Sequence, residues 1–181
     1  MIEYTALTDA VTETVVSRSR FITYTYRIED EDDAAEKLRN LRKKHYDATH
    51  VCYAYVADTT GSLARFSDDG EPAGTAGAPI LEVLQSGKYR KSLIAVVRYF
   101  GGVKLGAGGL TRAYAGCAAA GVAAGKPETF RQCAVLRVKT DFSLYNKIIK
   151  NLPQSLCKML KIEYNEYITV TLADISGQTE R

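Results

Sequence analysis

One stretch constrains this chain more than any other. Five apolar residues run together from Leu93 to Val97, Arg98, Tyr99 and Phe100 follow, and glycines then stand at positions 101, 102, 106, 108 and 109. Beyond Gly109 the residues are mostly small, with Ala113, Ala115, Gly116, Ala118, Ala119, Ala120 and Gly121 in a helix predicted to end near Ala124. An apolar strand feeding a glycine loop that opens a helix is a place where backbone N–H groups converge on an anion. Glycine permits the positive φ and the close approach that such a loop needs. Lys104 and Arg112 add two cationic side chains. The same glycines equally suit a tight turn with close helix–sheet packing, so both readings stand at this point.

The chain has 181 residues, enough for one large domain or one medium and one small. A net charge of only +3 means that any nucleic-acid binding comes from a local patch rather than from the whole molecule. No apolar run approaches the roughly 20 residues of a membrane span. The N-terminal residues include Glu3 and Asp9 and hold no apolar signal core, so a cytoplasmic protein is expected. Cys52, Cys117, Cys133 and Cys157 form no Cys-x-x-Cys pair and read as reduced, buried thiols. With His45 and His50 the only histidines, neither a zinc site nor a cofactor is expected.

Residues 21–27 and 49–57 read as strands, and 93–100 as a third. The acidic cluster 29–33 opens a helix that continues to about His45, with Ala34, Leu38, Leu41 and His45 on one face. Residues 58–61 form a turn, 65–79 a long polar loop, and about 76–85 a helix. Gly125-Lys126-Pro127 breaks the pattern and places a boundary between domains 1–126 and 127–181. A strand at 133–139, a helix at 141–152 ended by Pro153, and strands at 162–164 and 167–172 follow. Two α+β sandwiches are therefore predicted.

The polar loop carries Ser67, Asp68, Asp69, Glu71 and Thr75. Its three carboxylates suit either a divalent cation or pairing with Arg65, Arg98 and Arg112 if the two loops meet, and Asp-Asp-Gly is also a turn sequence. Carboxylates paired with these arginines would orient the guanidinium groups. Ser67 and Thr75 are the candidate nucleophiles with His50 as base, but neither a Gly-x-Ser-x-Gly elbow nor a Walker-type Lys-Ser/Thr is present, and His50 reads better as a structural histidine.

Three blocks carry a family likeness: Asp47-Ala-Thr-His-Val-Cys-Tyr-Ala-Tyr55, Arg65-Phe-Ser-Asp-Asp-Gly-Glu-Pro-Ala-Gly-Thr-Ala-Gly77 with Pro79-Ile80-Leu81, and Val97 through the glycine loop to Tyr114. In this order they make the chain resemble the IMPACT/YigZ family over roughly residues 18–125. The resemblance implies an N-terminal domain of the ribosomal protein S-five domain-two-like fold, also found in domain four of elongation factor G. It implies a small ferredoxin-like second domain similar to domain five of that factor. The sequence stops soon after Leu172, so the last helix and strand of that second domain are expected to be missing, leaving an open sheet edge and an apolar face through which copies self-associate. The family's eukaryotic members regulate translation under amino-acid stress through protein contacts.

The functional expectation is a translation-related regulator that binds RNA or the ribosome and is not an enzyme. Arg65, Arg98, Lys104 and Arg112 would contact phosphates, with Tyr99 beside them and the backbone of Gly101, Gly102, Gly106, Gly108 and Gly109 approaching closely. Ser67, Asp68, Asp69, Glu71 and Thr75 would support that patch. Two alternatives are an enzyme acting on a phosphorylated small molecule, with Asp68, Asp69 or Glu71 holding magnesium, and a module that docks a protein partner.

Overall fold

The computed structural model describes residues 2–176, which divide into two compact units, Glu3–Phe130 and the residues from Arg131 onward together with Ile2. The larger unit holds strands β1 (Glu3–Ala6), β2 (Ala10–Val16), β3 (Ser19–Arg27), β4 (His50–Val56), β5 (Ala64–Ser67) and β6 (Ser92–Tyr99), and helices α1 (Glu31–Lys44), α2 (Gly77–Ser86) and α3 (Gly106–Gly125). Strand β7 (Glu128–Arg131) pairs with β1, and Tyr4 stacks on Phe130 with ring centroids 5.5 Å apart.

The main sheet has the order β2-β3-β6-β4-β5, antiparallel throughout. Both faces of its centre are buried, which is why residues 93–97 are continuously apolar rather than alternating. Leu93, Ala95 and Val97 pack with Ala34, Leu38 and Leu41 of α1. Ile94 and Val96 pack with Ile80 and Leu84 of α2 and with Leu110, Tyr114 and Cys117 of α3. Burial of each such aliphatic side chain is worth about 1.5–3 kcal/mol. Helix α1 is defined locally as well: Asp30 caps it by accepting from Asp33 N at 2.9 Å, acidic residues fill its first turn and basic residues its last.

Helix α3 begins three residues before the glycine-rich sequence predicts, at Gly106, and its small residues bring it down onto the sheet. A Cβ on Gly121 would lie 2.7 Å from Thr23 Cγ2, so this position tolerates nothing larger. Gly116, read with it as a packing glycine, faces open space.

The smaller unit contains β8 (Val135–Thr140), α4 (Phe142–Asn151), β9 (Cys157–Tyr164) and β10 (Ile168–Asp174). Its antiparallel sheet has the order β8-β10-β9. Ile168, Val170 and Leu172 form the core, with Tyr145 and Leu152 packed against them. Among the described residues β8 pairs on one side only, and its Val135 and Leu136 are exposed. Residues beyond 176, where the expected final helix and strand would have to begin, lie outside the described residues.

Candidate functional site

The parity of β6 decides where the motif residues go. Leu93 points to the α1 face, so Arg98 points to the α3 face and Tyr99 back toward α1. Arg98 is consequently 4% exposed. Its Nη1 donates to Glu71 Oε1 at 2.5 Å and its Nη2 to Ser19 Oγ at 3.2 Å. The guanidinium lies over the rings of Phe21 and Phe100, 5.3 and 5.5 Å from the centroids. Its Nε is cut off from solvent and has no hydrogen-bond partner among the described residues.

Glu71 is the hub of this arrangement. The same Oε1 accepts from Tyr114 Oη at 2.8 Å and stands 3.9 Å from His50 Nε2. Tyr114 Oη is 3.3 Å from Cys52 Sγ, which in turn lies 3.0 Å from the carbonyl oxygen of Asp68. Burial, with Cys52 and Glu71 beside it, raises the Tyr114 hydroxyl far above its ordinary pKa, and burial pushes the Cys52 thiol up to about 12 against the opposing bond to Tyr114. The cluster therefore joins β3, β4, β6, α3 and the 67–77 loop through one buried ion pair.

The loop itself is held by its own carboxylates. Asp68 Oδ1 accepts from Ala76 N and Gly77 N at 2.9 and 2.8 Å, and Oδ2 from Gly74 N at 2.9 Å. Burial raises the Asp68 pKa, but the three backbone bonds outweigh it and hold the group below its ordinary value. Asp69 takes Arg42 Nη2 at 2.7 Å and Val51 N at 2.6 Å, with its own φ at +44°. Ser67 Oγ accepts from Asp69 N, and Thr75 donates to the carbonyl of Pro72. His50 Nδ1 donates to the carbonyl of Asp69 at 2.8 Å, the structural role expected of it. The three carboxylates thus serve three different sets of donors, and among the described residues no group of three or more His, Cys, Asp or Glu is placed to hold a metal ion.

The glycine loop is clamped to the β2–β3 turn. Ser17 and Arg18 both have positive φ, and Gly101 lies so close that a Cβ there would fall 1.9 Å from Arg18 O. Gly101 N also donates to Ser19 Oγ at 3.2 Å. Ser19 thus serves both Arg98 and the loop, yet nothing in the sequence singles it out except its place between Arg18 and Arg20. At the far end Gly106, with φ +67°, starts α3. Among the described residues no side chain caps this helix, and no acidic residue lies in its first turn. Lys104 and Arg112 are exposed, make no ion pair among the described residues, and line one open concavity of about 470 Å3 with Ser17 and Gly109. Gly108 borders it, since a Cβ there would sit 3.5 Å from Arg112 Nη1. Gly102 is exposed with φ +82°.

The remaining members of the expected patch lie elsewhere. Arg98 is beneath the surface, not on it. Tyr99 is on the opposite face, bonded to His45 Nδ1 at 2.8 Å and to Asp47 Oδ1 at 3.3 Å. Arg65 is also on the α1 face, where its Nε is 3.6 Å from Glu31 Oε1 at the start of α1. The side chains that gather with Lys104 and Arg112 are Val16 and Ser17 at the β2–β3 turn, Leu105 of the glycine loop and Ala113 of α3.

A two-faced antiparallel sheet, whose glycine loop is seated by a buried arginine–glutamate pair, is the class of domain these observations define. The Impact N-terminal domain matches residues 17–122, and the chain belongs to the IMPACT family. It is 37% identical over 156 residues to IMPACT family member YvyE of Bacillus subtilis, covering 86% of this chain and 72% of that protein. It is 47% identical over 117 residues to an IMPACT family member of Haemophilus influenzae, covering 63% of this chain and 57% of that one. A solved crystal structure of a hypothetical protein aligns with a TM-score of 0.71 and 28% identity, covering 99% of this chain and 88% of that chain. The fold is thus an Impact N-terminal domain followed by a small β-rich domain. Among the described residues no helix is long and apolar enough to cross a membrane.

Proposed function

We propose that the chain binds a phosphate backbone, of RNA alone or within the ribosome, along the groove between the β2–β3 turn and the N-terminus of α3. Family membership suggests a translation-related regulatory role in general terms, and RNA is the partner that suits this groove. The observation that carries the reading is the convergence of exposed Lys104 and Arg112 with the uncapped start of a 20-residue helix. The helix dipole places a partial positive charge there, and its free N–H groups are donors for phosphate oxygens. Exposed Arg18 on the adjoining turn adds a third cation in sequence reach of the groove. The reading assigns Arg98 and Glu71 the task of seating the loop, not of touching RNA.

Titration of a mixed-sequence single-stranded RNA at low and moderate salt tests this. Wild-type protein is expected to bind at low salt and weaken as salt rises, and Lys104→Ala/Arg112→Ala to lose most of that binding while remaining folded. Equal binding by the variant, or none by either protein at low salt, overturns the reading. Exposed Val135 and Leu136 on the edge strand β8 favour a second reading, self-association through the smaller unit. A monomeric mass by light scattering across micromolar concentrations would exclude it.

A further inference from the structure

The sheet of the smaller unit has a face turned away from α4, and we infer that this face binds single-stranded nucleic acid. Alternation along β10 sends Ile168, Val170 and Leu172 into the core beneath α4, and Thr169 and Thr171 to the opposite side. On that side β8 contributes Arg137 opposite Thr171 and Lys139 opposite Thr169. On the other flank of β10, β9 contributes Lys161 opposite Thr171 and, past a bulge, Lys158 opposite Ala173. All four cations are exposed. The face belongs to a different unit from the α3 groove, so its occupancy does not depend on that of the groove.

Charge and its layout point to a polyanion. Glu163, opposite Thr169 and bonded by Lys161 Nζ at 2.6 Å, is the one carboxylate in register on this face among the described residues. Glu166 lies past the end of the face, in the turn between β9 and β10. Four cations against one carboxylate leave an excess of three, as large as the formal net charge of the whole chain, +3. Arg137 and Lys139 stand about 7 Å apart along β8, and the β8 and β9 rows about 10 Å apart across β10. Cations spaced in this way on an open face do not converge on one small anion. They meet a repeating one, which a phosphate backbone supplies.

Hydroxyls and one ring choose among polyanions. Thr169 and Thr171 lie between the two cationic rows, as donors for phosphate oxygens. Tyr167 is 43% exposed, and Lys139 Nζ stands over its ring, 4.2 Å from the centroid. An aromatic surface on which an unpaired base can stack therefore adjoins a cation. A duplex keeps its bases stacked on one another, away from Tyr167. An anionic bilayer takes up a surface with an apolar stripe beside its cations, whereas the strip between the rows here is threonine.

Titration of the full chain with a mixed-sequence single-stranded RNA tests this, in the wild-type background and in Lys104→Ala/Arg112→Ala. Arg137→Gln/Lys139→Gln should make the slope of log affinity against log salt shallower by about 1.4 in both backgrounds, two phosphate contacts at about 0.7 each. Tyr167→Ala should weaken binding at least about fivefold and leave the slope unchanged, as loss of a stacked base dictates. Glu163→Gln frees Lys161 and should tighten binding roughly twofold to fivefold, a gain that a misfolded variant cannot mimic. A duplex of the same sequence, phosphatidylserine vesicles and polyglutamate should each bind more weakly than the single strand. A slope that Arg137→Gln/Lys139→Gln leaves unchanged overturns the inference, as does a Glu163→Gln variant that binds no more tightly. Tighter binding of the duplex, the vesicles or polyglutamate that is lost with Arg137 and Lys139 also overturns it. A slope changed only by Lys104→Ala/Arg112→Ala overturns this inference and spares the groove reading, and a slope changed only by Arg137→Gln/Lys139→Gln does the reverse.

Discussion

Removing Glu71 tests whether the buried pair really seats the loop. The side chains of Arg98 and Glu71 are 5% and 4% exposed, so the pair belongs with buried ion pairs, in which loss of one partner costs about 3–5 kcal/mol, and not with exposed pairs worth about 0–1 kcal/mol. Glu71→Ala strands the guanidinium of Arg98 between Phe21 and Phe100 and strips Tyr114 Oη of its acceptor. With a urea m-value of roughly 1–3 kcal/mol per molar, the unfolding midpoint of the larger unit falls by about 1 M or more. Arg98→Met in the Glu71→Ala background removes both charges and leaves no uncompensated ion, so the double variant should regain much of the loss. Urea titrations followed by circular dichroism supply the four corners of the cycle. A Glu71→Ala cost below about 1 kcal/mol, or a double variant no better than the sum of the singles, would refute the claim that the charges are coupled and desolvated.

Three further outcomes follow from the same geometry. His45 bonds Tyr24 Oη and Tyr99 Oη, each at 2.8 Å, and burial, reinforced by Lys44, lowers its pKa below 6.5. The unfolded chain therefore takes up this proton first, so stability should fall as pH drops below about 6.5, and His45→Gln should flatten that slope; an unchanged slope in the variant excludes His45 as its source. Burial raises Cys52 to about 12 and Cys117 to about 11, so a thiol reagent at mild alkaline pH should modify Cys133 and Cys157 in the native protein and all four in denaturant, a result that mass mapping checks. Gly101→Ala should destabilise by more than about 1 kcal/mol, because its Cβ would collide with the backbone of Arg18. Gly116→Ala, with open space around it in helix α3, should stabilise by about 0.5–1 kcal/mol. Thermal melts that rank the two substitutions the other way would contradict the packing described for α3 and the loop.

Much of the fold is legible in the sequence because local and global signals agree there. Asp30 to Asp33 and Arg42 to Lys44 mark both ends of α1, and the apolar run at Leu93 marks the central strand. Strand β2 is not legible in the sequence because its pattern is inverted: Val11 and Val15 are exposed while Val16 packs against the core on the α3 side. Strand β5 has only four residues and two exposed side chains, so its stretch reads as part of a polar loop. The site was legible as a place but not as a division of labour. Because 93–97 is apolar at every position, no alternation tells which way Arg98 points, and one step of parity separates a buried guanidinium from a solvent-facing one. The same holds for Arg65, which the register of a short edge strand sends to the α1 face beside Glu31. Lys104 and Arg112, set by a loop and a helix rather than by strand parity, lie together at the surface.

The most direct measurement of the central claim is the slope of log affinity against log salt for single-stranded RNA, taken on wild type and on Lys104→Ala/Arg112→Ala. Each phosphate neutralised contributes about −0.7 to that slope, so the double variant should be shallower by about 1.4. A variant slope equal to the wild-type slope would show that Lys104 and Arg112 touch no phosphate and would contradict the assignment of the α3 groove to nucleic acid.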